Sequence, residues 1–174
     1  MTTLISCLAW PALQQQAVPS NVEHLKPLEF LVGAWTGSGE MPDPQDPTRL
    51  VACTDEFVDA WTLDRNFLKS DDAMKVGDTV IWIDFSMTGW DFERQLLVGH
   101  TFGLDGGIGV GTQVRSDAKE TWMYEGKTTA PSPFREWRVT LKKVDADTVK
   151  FLMGSKVADR YVTAMSGTHR RKKP

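Results

Sequence analysis

The stretch Phe30-Leu-Val-Gly-Ala-Trp-Thr-Gly-Ser-Gly-Glu40 places Gly33, Trp35, Gly37 and Gly39 on one alternating frame, directly after a short apolar run. Glycine inside a strand marks a bend, a bulge or the close approach of another backbone. Tryptophan brings a large apolar surface and a single N–H that wants a partner once buried. Together they predict a first strand that bends sharply and plugs one end of a closed sheet with an indole.

On the N-terminal side, Leu25, Leu28 and Leu31 recur every three residues, which predicts a short helix over Val22 to Leu31 with Pro27 in its first turn. Such a helix would cap an end of the fold. On the C-terminal side, Met41 to Pro47 holds three prolines and reads as a stiff loop. Beyond it the chain returns again and again to period two. Val51, Cys53, Asp55, Phe57, Asp59 and Trp61 share a phase, and Asp78 to Met87 is apolar on both faces. Phe92, Arg94, Leu96, Val98, His100 and Phe102 read as one phase of the next strand, followed by an Asp105-Gly106 turn. Further alternating runs carry Ile108 to Val114, Trp122 with Tyr124, Trp137 to Leu141, Val149 to Met153, and Arg160 to Arg170, with a break at Ala130-Pro-Ser-Pro133. Eight to ten short strands at hairpin spacing predict an all-β fold, an antiparallel up-and-down barrel or a sandwich.

Length supports one domain with a full core. The boundaries read as residues 1–22, a leader or tail, and 23–174, a single barrel. Leu4 to Leu13 has the length of an export-signal core, yet no Lys or Arg precedes it and no Ala-x-Ala follows. Both a periplasmic or secreted location and a cytoplasmic one stay open on that pattern. No run of about 18 apolar residues predicts a membrane span. The net charge of −3 gives the body no footprint for nucleic acid. The basic tail His169-Arg170-Arg171-Lys172-Lys173 reads as a solvated end. Cys7 and Cys53 match no metal or disulfide pattern, and Cys53 reads as a small buried hydrophobe. Seven tryptophans against two tyrosines imply a core or pocket rich in indole.

Several pieces resemble a bacterial family of lipocalin-like, calycin-type barrels that is known as a domain of unknown function. These are Leu31 to Gly39, Ile81-Trp-Ile-Asp-Phe85, Phe102-Gly-Leu-Asp-Gly106, Asp145 to Thr148 and Met165 to Arg171. The likeness spans roughly residues 28–171 and rests on order and spacing rather than on any single motif. More distantly, the Gly-x-Trp-x-Gly-x-Gly opening is similar to that of nitrobindins. That resemblance implies haem held by a histidine of the final strand, which here is the region of His169.

In such a barrel side chains alternate inward and outward, and the inside is filled or holds one small ligand. Polar residues in phase with apolar ones are therefore the candidates. The expected binding set is Trp35, Trp61, Trp82, Asp84, Arg94, His100, Trp122 and Tyr124, with Asp84 paired to Arg94 across neighbouring strands. Asp55 and Asp59 share the inward phase of Phe57 and Trp61. The expected partner is a hydrophobic or amphipathic molecule, with its polar end fixed by Arg94, His100 and Asp84. An anionic ligand would then depend on Arg94. No cofactor or metal is expected, haem on His169 or His100 being the alternative. No nucleophile elbow, P-loop, HExxH or dinucleotide fingerprint predicts catalysis. An acid–base pair of Asp84 and His100 is the one enzymatic reading. A filled barrel that forms a homodimer through tryptophan-rich faces is the remaining one.

Overall fold

A computed structural model describes residues 20–43, 45–46, 48–114, 120–129 and 135–173. The leader, Cys7 and the Ala130–Pro133 break lie outside these residues. Ten antiparallel strands close into a single barrel. They are β1 (Gly33–Pro42), β2 (Leu50–Thr62), β3 (Phe67–Val76), β4 (Thr79–Asp91), β5 (Leu96–Gly103), β6 (Ile108–Val114), β7 (Thr121–Thr128), β8 (Glu136–Asp145), β9 (Thr148–Val157) and β10 (Arg160–Arg171). Each strand pairs with its sequence neighbours, and β1 pairs with β10 to close the ring. Closure removes the open edges that would template aggregation.

The strand-one reading holds. Trp35 is 0% exposed, and its Nε1 donates to the Leu31 carbonyl at 2.6 Å. Gly37 and Gly39 leave room for close neighbours: a Cβ at Gly37 would overlap the Asp55 carboxylate, and one at Gly39 the backbone of Ser166.

Immediately before β1, helix α1 (Val22–Leu25) runs into a 3-10 segment, Lys26–Leu31. Its Leu25, Leu28 and Leu31 are buried against Trp35, Leu68, Leu97 and Val149. The segment stoppers one end of the barrel, the end where β2 turns into β3, β4 into β5 and β8 into β9. Polar contacts fasten it to these turns. The Asn21 backbone N–H donates to Asn66 Oδ1 at 2.8 Å, the His24 ring stacks on Trp90 with centroids 4.1 Å apart, and Arg65 pairs with Glu29.

Arg171 makes the most consequential of these contacts. Its guanidinium donates to the Phe30 and Val32 carbonyls, lies over the Trp35 ring at 4.3 Å and reaches Asp147. The tail expectation is corrected here: His169 is buried and Arg171 clamps the plug, so the end of β10 is structural. Alternation hid this, because His169 and Arg171 lie on the inward phase of β10, opposite Gly37 and Trp35.

Candidate ligand site

Register assigns the inward face. On β2 it carries Cys53, Asp55, Phe57, Asp59 and Trp61; on β3, Leu68, Ser70, Asp72 and Met74; on β4, Trp82, Asp84, Ser86, Thr88 and Trp90. The far wall is lower. β5 presents Leu97, Gly99, Thr101 and Gly103, and β6 presents Gly109, Gly111 and Gln113. Trp137 of β8 lies flat across the wall there, its ring against Gly111 and Gly126, where any Cβ would collide with it.

Packing divides the interior. One core cluster lies at the plug. A second, of Met41, Cys53, Met74, Phe151 and Met165, lies along β1, β2, β3, β9 and β10. By contrast, the inward side chains of β4, β7 and β8 are only half-buried, from Trp82 to Trp90 and from Trp122 to Leu141. A residue that faces the axis of a closed barrel and still meets solvent lines a lumen. The plug packs one end and the second cluster packs the half toward the β3–β4 turn, and the half-buried inward faces of β4, β7 and β8 bound the remaining interior, the lumen.

That lumen is acidic. Asp72 lies directly across from Asp84 on β4 and from Phe57 on β2, so Asp55 and Asp59 are its diagonal neighbours. Directly opposed side chains have Cβ atoms about 5 Å apart and diagonal ones roughly 7–8 Å. Burial, followed by the nearby charges of Asp84, Asp55 and Asp59, pushes the Asp72 carboxyl up to about 8. Burial raises Asp59 to about 7 despite a hydrogen bond with Ser70, and raises Asp84 despite the Trp82 indole N–H that donates to it at 2.7 Å. Burial also raises the Tyr124 phenol. Asp55 instead bonds His169 Nε2 at 2.7 Å, and that imidazole is stacked on Phe151 and met edge-on by Phe57. One oxygen each of Asp55, Asp59 and Asp72 is enclosed without a hydrogen-bond partner. Among the described residues, no three His, Cys, Asp or Glu side chains converge closely enough to hold a metal ion.

The structure separates the expected site residues. Asp84, Trp82 and Tyr124 face the lumen, and Trp61 and Trp122 lie at its plugged end beside the core. Trp35 is wholly enclosed beneath the plug. Arg94 and His100 are corrections. Arg94 is exposed in the β4–β5 turn beside Asp91, so the Asp84–Arg94 pair does not form. His100 points outward from β5, opposite Met87 and Val110, with the sheet between it and Asp84. The acid–base pair therefore fails on geometry, and so does the anionic end fixed by Arg94.

The phase error has a physical source. The turn Asp91 to Gln95 (Gln95 at φ 57°) resets the alternation, and β5 carries Leu96, Val98 and Phe102 outward and, apart from the buried Leu97, small residues inward. Asp72 was missed because its neighbours Asp71 and Lys75 make β3 look like a solvated strand.

His169 does not fit a haem. Its Nε2 is engaged by Asp55, Phe151 and Phe57 pack around its ring, and the neighbouring Gly37 backbone leaves no space beside it.

A shallow depression of about 440 Å³ is lined mostly by outward residues of β2 to β5, among them Asp71, Ile83, Phe85 and Phe102, and also by Asp72, Asp84 and Gly103.

The chain matches no family model, and no curated protein resembles it in sequence. Its structure is similar to that of Rv2717c from M. tuberculosis (TM-score 0.67, 15% identity), covering 86% of this chain and 97% of that one. It is also similar to the S-type phycobiliprotein lyase CPES from Guillardia theta (TM-score 0.54, 12% identity), covering 88% and 94%. The fold is a closed antiparallel barrel of ten strands. At these identities the likeness shows the fold alone. No helix among the described residues is long and apolar enough to cross a membrane.

Proposed function

We propose that this calycin-like barrel binds a small molecule in its lumen. The observation that carries the reading is the row of half-buried aromatic and polar side chains on the inward faces of β4, β7 and β8, between the two packed clusters. Small-molecule sites are generally apolar concavities with a few convergent polar groups. The similar lyase acts, by its name, on phycobiliproteins, which makes a pigment-handling role one candidate within the same reading. The acidic wall narrows the ligand to one that tolerates or neutralises carboxylates.

N-phenylnaphthylamine, an uncharged dye that brightens in apolar sites, tests the reading. Wild-type protein should bind it at about one equivalent with micromolar affinity, the range of an unoptimised apolar contact. Ser86→Trp, which places an indole in the lumen from β4, should abolish binding while the circular dichroism of the barrel is retained. An unaffected Ser86→Trp variant would put the dye elsewhere and overturn the lumen reading.

A further inference from the structure

We infer that the lumen selects an organic cation, an ammonium carried on an aromatic or apolar body, with Asp72 and Asp84 as the paired contact. The inference rests on the lumen-binding reading above and adds the charge of the ligand to it.

Geometry comes first. Like charges directly opposite in a sheet repel, and burial away from water amplifies the repulsion. Asp72 and Asp84 are such a pair, roughly five residues or about 15 Å of strand from the Gly77 turn, with Met74 and Trp82 of the second cluster on that side. The groups facing them are known from each side. From β2 come Asp55 and Asp59, and β10 contributes His169 only through its bond to Asp55. From β5 come Thr101 and Gly103, which carry no charge. Inward-facing Lys143 and Arg171 lie at the plugged end, over Phe30 and Trp35. Among the described residues the inward face around the pair thus carries carboxylates and no lysine or arginine to neutralise them.

A second observation points to a ligand. Asp59 is 5% exposed, and it and Asp72 each keep one oxygen with no partner, on the inward phase of the pair. Buried polar oxygens are ordinarily paired, so unpaired ones in a row mark a place completed by something else. A bare metal ion is the wrong completion, because the carboxylates do not converge on a point. An ammonium on a flat hydrocarbon suits them better. It needs one or two carboxylates at its head, and Trp82, Tyr124 and Trp137 offer ring surface to its body.

Cation binding has a proton signature. Unliganded, the cluster holds protons near neutrality. An entering ammonium replaces them as the neutralising charge, so protons leave to solvent and affinity rises with pH from 6 to 8.5.

Calorimetric titration compares phenethylamine, phenethyl alcohol and phenylpropionate, which share a ring and differ in charge. At pH 8.5 phenethylamine should bind at least about tenfold more tightly than the alcohol, with the anion weakest, as expected for a charge meeting carboxylates in a low-dielectric site. The preference should vanish in Asp72→Asn/Asp84→Asn, and proton release should be visible as a dependence of the heat on buffer. Alcohol binding equal to or tighter than amine binding, with the uncharged dye still bound, would overturn the cation assignment and leave the lumen reading intact. Loss of dye binding as well would overturn both. An amine preference that survives in the double variant would place the cation elsewhere and overturn the inference.

Discussion

Asp72 shows how much one residue's setting can matter. Its carboxyl is raised to about 8 and that of Asp59 to about 7, against about 4 in an unfolded chain. Between about pH 4 and pH 8 the folded chain therefore holds more protons than the unfolded one, and stability falls as pH rises. Below about pH 4 both states are protonated and the contribution is fully present; above about pH 8 it has gone. Asp72→Asn keeps the shape and removes the charge, along with part of the repulsion on Asp84. Urea unfolding at pH 8.5 should show this variant more stable than wild type, by on the order of 2 kcal/mol, with the difference closing toward pH 4. A variant less stable than wild type at pH 8.5 would mean that Asp72 makes a stabilising bond in its charged form. The residue scale is also where the sequence was hardest to read. Cys53, Asp55, Phe57 and Asp59 are in phase with one another within one uninterrupted strand, so their common face was legible. Arg94 and His100 were read in the wrong phase because a turn intervened and because the lumen side of β5 is made of Gly99, Thr101 and Gly103. Hydrophobicity points inward only where the inside is filled.

The plug is the element on which the site depends. Three leucines give it a buried face, and Arg171 ties its last carbonyls to the end of β10. A lysine can supply the charge here but cannot reach two carbonyls and cover an indole at once, because its ammonium is a point on a flexible stem. Arg171→Lys should cost about 1–3 kcal/mol in thermal or urea unfolding, the usual cost of leaving buried carbonyls short of a donor. The loss should come with faster hydrogen exchange at the Trp35 indole N–H, the group nearest the clamp. Unchanged indole exchange would show that Leu25, Leu28 and Leu31 hold the plug unaided. The short helix itself was legible from the three leucines, and the indole stopper from the Gly-Trp-Gly alternation. The clamp was not, since an arginine in a basic terminal run looks the same whether it is solvated or folded back.

The whole barrel was legible because period-two patterning recurs at hairpin spacing throughout the chain, and ten strands fall at the upper end of the expected eight to ten. Its interior was not, since whether a barrel is filled depends on how ten inward faces meet. Its exterior has an unusual distribution too. Ile83, Phe85, Phe102, Leu104, Ile108 and Val110 form an apolar band outside β4–β6, with Leu104 78% exposed. Phe102→Lys should raise solubility in concentrated solution, measured by light scattering, and leave dye binding in the lumen unchanged to within about 0.5 kcal/mol, as usual for an exposed substitution. A change in lumen binding would show that the two faces of β5 are coupled.

Closure by β1 and β10 has a further consequence, for synthesis. Gly33 to Pro42 leaves the ribosome early, and one of its two partners, Ser166 to Arg171, leaves among the last segments described. Until then β1 can pair only with β2, and no hairpin, however well formed, makes the ring. Joining residues so far apart in sequence slows folding, because the loop must close before its contacts reward it. A chain that stops before residue 166 can form at most an unclosed sheet with two bare edges. The emergence of Ser166 to Arg171, and not of β1, sets when the barrel can lose its open edges.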